Sequence, residues 1–410
     1  MLPLHDLRVL DLGWVWAGPM AACWMADLGA EVIKLEHSER LDNSRLRGAP
    51  IIDGRKMSIP GKSIELGPFY HNANRHKLSA RLNLKHPRGA ELFRALAAKS
   101  DVVIENFTPG TLAELGLDYA SLARIKPDLV MVSLSTAGQS GPISDLRGYA
   151  PPLSAYAGLE ALVGYEGEPP SGSPNIGLND PSSGAHAMLA LLAALIRRDR
   201  TGQGQYIDLS QLEVGVAPLA EAALEYQFTG KVMQSVGNGH RLHCPHGIFP
   251  CAGDDRWVAV SVENERHWRA LCAVMGEPEW ADRDRYRDAA GRVAERPLLE
   301  AELARWTAAH TREAVVEQLV GAGVPATPVL TIDEQYVDPH FTARQLRQTT
   351  IHPLSGEERL YRLPWRMSAA DTGIRGSAPQ LGEHDDYVYG EILGLDVSTI
   401  RGLQQDRVIY

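Results

Sequence analysis

Arg8-Val-Leu-Asp-Leu-Gly13, a break at Ala17-Gly-Pro19, and Glu31-Val-Ile-Lys-Leu-Glu36 decide how this chain folds. Two short apolar runs flank a helical pattern over 20–28, which Gly29 closes. That is a strand, a tight crossover helix and a second strand. Such a unit calls for a parallel sheet with helices on its faces. The residues after the first strand are Gly13-Trp-Val-Trp-Ala-Gly18, not Gly-x-Gly-x-x-Gly. Without those glycines the backbone does not approach a pyrophosphate closely, which argues against a NAD or FAD enzyme. Trp14, Trp16 and Trp24 make a bulky apolar wall there; ordinary packing is its commoner role.

The alternation continues. Helical pattern over 87–98, a strand at 101–106, short helices near 111–115 and 119–125, and a strand at 128–134 extend an open α/β domain. The stretch 42–74 is rich in Gly, Pro and Ser without a period and reads as an excursion of surface or binding loops. A long helix is expected over 212–228. A strand at 257–262 and helices near 265–275 and 298–309 mark a second domain. The fold class is α/β: a Rossmann-like large domain plus a smaller α+β domain. The boundaries fall at 1–215 for the first part of the large domain, 216–229 for a linker helix, 230–315 for the small domain, 316–329 for a second linker and 330–410 for the return.

Bulk properties exclude several classes. The 410 residues carry a formal net charge of −10, which disfavours nucleic-acid binding. The longest apolar run, 185–196, is shorter than the roughly 20 residues of a membrane span, so it reads as a buried core helix. The first residues do not look like a secretory signal, and four cysteines without a Cys-x-x-Cys pair fit a reducing cytoplasm. His71 with His76, or His240, His243 and His246, lack a carboxylate or Cys framework, so no metal is expected.

Asp180 stands in Gly177-Leu-Asn-Asp-Pro-Ser-Ser-Gly184, directly before that apolar run. Asp followed by Pro is an ordinary N-cap and first-turn pair. On local rules it is a cap; any chemistry needs support from elsewhere in the chain.

That support is a resemblance. Val9-Leu-Asp-Leu12, Ala17-Gly-Pro19, Asp27-Leu-Gly-Ala-Glu-Val-Ile-Lys-Leu-Glu36, Asn74-Arg-His-Lys77 and Asp101-Val-Val-Ile-Glu-Asn-Phe-Thr-Pro-Gly110 come first. Gly116-Leu-Asp-Tyr119, Gly138-Gln-Ser-Gly-Pro142, Thr201-Gly-Gln-Gly-Gln205, Gly323-Val-Pro-Ala326, Asp338-Pro-His340 and Leu381-Gly-Glu-His384 follow. In this order and spacing the chain resembles the family III CoA-transferases, the CaiB/BaiF family that includes formyl-CoA transferase and carnitine CoA-transferase.

The resemblance implies that Asp180, four residues before Gly184, is a catalytic nucleophile. It would form an aspartyl-acyl anhydride and then an aspartyl-CoA thioester. CoA and acyl-CoA are substrates; no tightly bound cofactor is implied. Backbone of Val15, Trp16 and Ala17, or of Gly237-Asn-Gly239, would serve the oxyanion. CoA contacts are expected from Arg75, Lys77, Asn106, Phe107, Gly110, Gly138 and Tyr149. The chain departs from the family pattern at Thr108, where many members carry Arg, at His37-Ser-Glu-Arg40, and at Gly237-Asn-Gly-His-Arg241, which replaces a glycine-rich loop. The replaced glycine-rich loop weighs against formate or oxalate, and the Trp14-Val15-Trp16 segment favours a larger, partly apolar acid, dicarboxylic or aromatic. Tyr149 stands where α-methylacyl-CoA racemases of the same family carry His, and a phenol is a poor base at neutral pH. The racemase and a subunit of a hetero-oligomeric transferase are the alternatives. The family also implies an interlocked dimer, of two identical chains or with a related subunit.

Overall fold

The computed structural model describes residues 1–47, 51–52, 55–56, 61, 63–173 and 177–410. They form two compact units. The first comprises Met1–Leu159, Pro174–Ala223 and Thr342–Tyr410, and the second Glu160–Ser173 and Leu224–Phe341. The second unit thus takes in 160–173 and runs past 315 and 329, the ends expected for the small domain and its linker.

In the first unit six parallel strands are β1 (Arg8–Asp11), β2 (Glu31–Glu36), β3 (Leu78–Arg81), β4 (Val102–Glu105), β5 (Val130–Ser135) and β6 (Gln205–Ser210). Their spatial order is β3-β2-β1-β4-β5-β6. The direction of winding reverses between β1 and β4, and a crevice opens there beyond the carboxyl ends of the strands. Both faces are covered, so alternate residues enter different cores. Leu10, Ile33, Val103 and Met131 pack on one side, while Val9, Val32, Val102 and Val130 pack on the other.

The helices that matter are α1 (Ala17–Asp27), α2 (Pro68–Asn74), α3 (Pro87–Ala97), α4 (Ala150–Ala157) and α5 (Asn179–Thr201). Helix α1 begins three residues before the apolar pattern suggests. Helix α5 is not wholly buried. Gly184, Ala187, Met188, Leu191 and Leu195 form its buried stripe, whereas Leu189 and Ile196 are 68% and 54% exposed. A helix lying on a sheet buries one stripe only, whatever the composition of the other.

Two other expectations change. The helix expected over 212–228 is broken: Gln211–Val216 and Ala220–Thr229 are separated by a tight turn at Ala217–Leu219. Pro218 lacks the amide hydrogen that would continue the ladder. The excursion 42–74 is not simply surface loop, because Arg45, Tyr70, His71 and Asn74 are buried. Its parts 48–50, 53–54, 57–60 and 62 lie outside the described residues.

The second unit has an antiparallel sheet of β7 (His246–Pro250), β8 (Trp257–Ser261) and β9 (Ala326–Pro328), with β8 central. Val258, Val260, Trp268, Leu271, Leu299 and Leu303 fill its core. Among the described residues no helix is long and apolar enough to cross a membrane.

Candidate active site

The crevice at the reversal point is a cleft of about 940 Å³. Trp14 and Val15 after β1, Asn106 and Phe107 after β4, and Tyr149, Arg147 and Asp180 line it. All of these belong to the first unit.

Asp180 arrives there through packing. It occupies the second position of α5. A Cβ on Gly184 would lie 3.1 Å from the Ala17 carbonyl oxygen and 3.4 Å from the Ala21 nitrogen. Only glycine lets the first turns of α5 settle this closely on the start of α1. Asp180, one turn earlier on the same stripe, is thereby set beside the loop that precedes α1. The Asp-x-x-x-Gly spacing thus has a mechanical meaning.

The capping role expected on local rules is absent. Helix α5 starts at Asn179, and its cap position is Leu178, with no side-chain cap. Ser182 N–H already donates to the Leu178 carbonyl at 3.2 Å, so the helix begins upstream of the Asp-Pro pair. Burial lifts the Asp180 carboxyl from 3.8 to about 6, and the Arg47 guanidinium pulls the other way. A carboxylate near a helix start ordinarily gains from the helix dipole; here desolvation wins.

The loop before α1 is strained and clamped. Val15 sits at φ 66°, a left-handed conformation unfavourable for a β-branched residue. Its N–H donates to Asp42 Oδ1 at 2.9 Å. Trp14 N–H donates to Asn106 Oδ1 at 2.7 Å, and Asn106 Nδ2 donates back to the Trp14 carbonyl at 2.8 Å. Asp42 is itself buried beside Lys34, 2.9 Å away. Burial alone would raise the Asp42 carboxyl; Lys34 and Ser44 outweigh it and hold the group at about 2. Asp42 and Lys34 carry no chemistry-bearing motif of their own, and sequence reasoning missed them.

The remaining expected contacts divide. Phe107 and Asn106 are in the cleft, and the Phe107 ring meets Trp14 edge-on at 5.9 Å. Trp16 precedes α1 and packs on Phe69 at 5.1 Å, while Ala17 is buried in α1. Gly110 lines a neighbouring cleft with Tyr119 and Tyr206. Gly138 lies near Ser210 and Asp208 instead. Gly237-Asn-Gly239 belong to the second unit.

Arg75 and Lys77 are corrected. Both are at most 3% exposed. Arg75 pairs with Asp27, and Lys77 Nζ reaches Asp11 at 2.7 Å, the Pro19 carbonyl at 2.9 Å and Asn74 at 2.8 Å. Buried, fully engaged cations are not available to phosphates. Exposed basic groups lie elsewhere, around an apolar slot of about 540 Å³ lined by Leu12, Leu35, Leu82 and Phe107, with His37, Arg40 and Lys85 also on its wall. The slot and the Asp180 cleft share Trp14 and Phe107. The Arg40 guanidinium lies 5.1 Å from the Trp14 ring centre.

Cysteine chemistry is disfavoured: burial pushes Cys23 up to about 12. His240 stacks on His243 and meets His246 at a tilt, whereas His71 Nδ1 meets Glu358 beside His352. The His352 ring accepts from the Leu354 and Ser355 amides through Nδ1, which puts its proton on Nε2 and makes that atom a donor rather than a metal ligand.

Sequence comparison matches residues 4–385 to the model of CoA-transferase family III. The chain belongs to CoA-transferase family III. Succinyl-CoA–D-citramalate CoA-transferase of Chloroflexus aurantiacus is 34% identical, over 99% of this chain and 98% of that one. Succinate–glutarate CoA-transferase of Agrobacterium fabrum is 34% identical over 95% and 96%. The succinyl-CoA–L-malate CoA-transferase beta subunit of C. aurantiacus is 33% identical over 100% and 98%. Among solved structures, a CaiB/BaiF family protein from Brucella suis superposes with a TM-score of 0.84 at 31% identity, covering 95% of this chain and 99% of that one. The family membership and the α/β fold expected from the sequence stand on these likenesses.

Proposed function

We propose that this family III enzyme moves CoA from a succinyl-type thioester to a dicarboxylic acid, with Asp180 as the acyl acceptor. The observation that carries the reading is an uncapped, largely buried carboxylate at the mouth of a reversal-point cleft. The Asp180 carboxylate attacks the thioester carbonyl, the C–S bond breaks, and CoA leaves as thiolate. The product is a mixed anhydride. The thiolate then attacks the aspartyl carbonyl, releasing the donor acid and leaving an aspartyl-CoA thioester. The acceptor carboxylate attacks that thioester, giving a new anhydride and free thiolate. Attack of the thiolate on the acceptor's acyl carbon yields the new CoA ester and restores Asp180.

Desolvation raises the energy of the ionised nucleophile relative to water, which favours attack. Asp42 and Asn106 already take the Val15 and Trp14 N–H groups and so fix the strained loop; the oxyanion is left to the next amides, those of Trp16 and Ala17. The apolar slot suits the adenine of CoA, with Arg40 and Lys85 toward its phosphates. Substrates of the named relatives support a dicarboxylic acceptor over an aromatic one. A dimer with itself or with a related subunit is part of the reading; the existence of a beta-subunit relative supports the latter form. Light scattering that finds only a monomer contradicts it.

The test is mass spectrometry after succinyl-CoA and hydroxylamine, which converts an acylated Asp180 to a hydroxamate. Full CoA transfer by Asp180→Ala refutes the mechanism.

A further inference from the structure

Arg47 is the feature that the mechanism above leaves unused. It follows the short helix Asn43–Leu46 and is exposed. Its guanidinium lies 5.6 Å from the Phe69 ring centre and 5.8 Å from that of Tyr149. Tyr149 lines the Asp180 cleft. Two aromatic faces therefore hold a cation at the edge of the cleft without neutralising it. Among the described residues Arg47 has no carboxylate within ion-pair distance, unlike the buried arginines Arg45 and Arg75. Tyr149 and Asp180 line the same cleft, so Arg47 stands beside the wall of the space that Asp180 faces.

We propose that Arg47 reads the distal carboxylate of the dicarboxylic acid while the other carboxyl reacts at Asp180. A planar guanidinium beside two ring faces can present its N–H edge to a carboxylate in a fork. The distal carboxylate is present in donor ester, anhydride and acceptor alike, so Arg47 contributes uniform binding and acts on KM rather than on kcat. A monocarboxylic acid of equal length lacks the partner and gains nothing from Arg47. Arg147, on the cleft wall and also exposed, is the rival cation.

The proposal rests on Asp180 being the acyl acceptor, and the experiment separates the two. Wild type, Arg47→Ala, Arg47→Lys and Arg147→Ala are assayed with succinyl-CoA and either glutarate or pentanoate as acceptor. Arg47→Ala is expected to raise the glutarate KM roughly 10- to 100-fold and to leave the pentanoate KM unchanged. Arg47→Lys should fall between, since a point charge replaces the fork. Equal changes for both acids, no change for either, or a selective loss in Arg147→Ala instead, each overturns the assignment. The hydroxylamine adduct is read in parallel on wild type. If Asp180 is labelled and Arg47 does not discriminate, the inference alone fails; if Asp180 is never labelled during turnover, the underlying mechanism fails.

Discussion

Asp180→Asn should make the protein more stable, by an amount that grows as pH rises from about 4 to above 6. The carboxyl titrates near 3.8 in an unperturbed chain and at about 6 in the folded one, because burial disfavours the anion more than Arg47 favours it. The folded state thus binds this proton more tightly than the unfolded state. The cost of ionisation sets in as pH rises through the unfolded value near 3.8, is complete above about 6, and disappears as pH falls below the unfolded value. About two units at roughly 1.4 kcal/mol each give up to about 3 kcal/mol near pH 7.5. By pH 4.5 the same two values leave about 1 kcal/mol. Asn matches the shape of Asp without charge, so it removes this cost. At about 2 °C per kcal/mol for a chain of this size, Tm should rise by roughly 6 °C at pH 7.5 and by about 2 °C at pH 4.5. Thermal unfolding of both proteins at the two pH values decides it. A Tm difference that does not change with pH, or an Asn variant less stable at pH 7.5, refutes the desolvation argument.

Other expectations concern rate and architecture. Formation of the Asp180 adduct should be half-maximal near pH 6 and fall to about a tenth at pH 5; a rate flat down to pH 5 would mean the carboxyl is not held up by burial. Gly184→Ala pushes a methyl to 3.1 Å from the Ala17 carbonyl. It should lower kcat by roughly 10-fold while leaving the KM for the CoA ester nearly unchanged, and an unaltered kcat would break the link between Gly184 and Asp180. Lys77→Met takes from the fully buried Asp11 side chain the nearer of its two cations, at 2.7 Å, and leaves Lys34 at 4.0 Å; it should destabilise by roughly 2 to 3 kcal/mol, and a denaturant midpoint close to wild type counts against a structural role. Arg40→Ala with Lys85→Ala should raise the KM for acyl-CoA in a manner that weakens with added salt, and a KM independent of salt would remove them from phosphate binding.

The alternating sheet and helix order of the first unit was readable because periods of two and 3.6 residues are local properties. The glycine spacing marked Asp180 through resemblance, whereas the reversal-point crevice came only with the strand order in the structure. Sequence rules misjudged which charges face solvent. Arg75 and Lys77 sit in a polar tetrapeptide that looks like surface, yet their partners Asp27 and Asp11 stand 48 and 66 residues away. Asp42, Lys34 and Arg47 fell in or beside stretches with no readable site pattern, so nothing local marked the clamp on Val15 or the cation near Asp180.

By itself, then, the sequence determined the α/β class and the family, and pointed to Asp180 as the proposed nucleophile. Those depend on periodicity and on ordered motifs along the chain. Only the tertiary structure decided that Asp180 does not cap its helix and is raised toward 6, that Arg75 and Lys77 are internal struts, and that among the described residues no carboxylate lies within ion-pair distance of Arg47. Burial and ion pairing depend on which distant segments meet, and no local spacing encodes that.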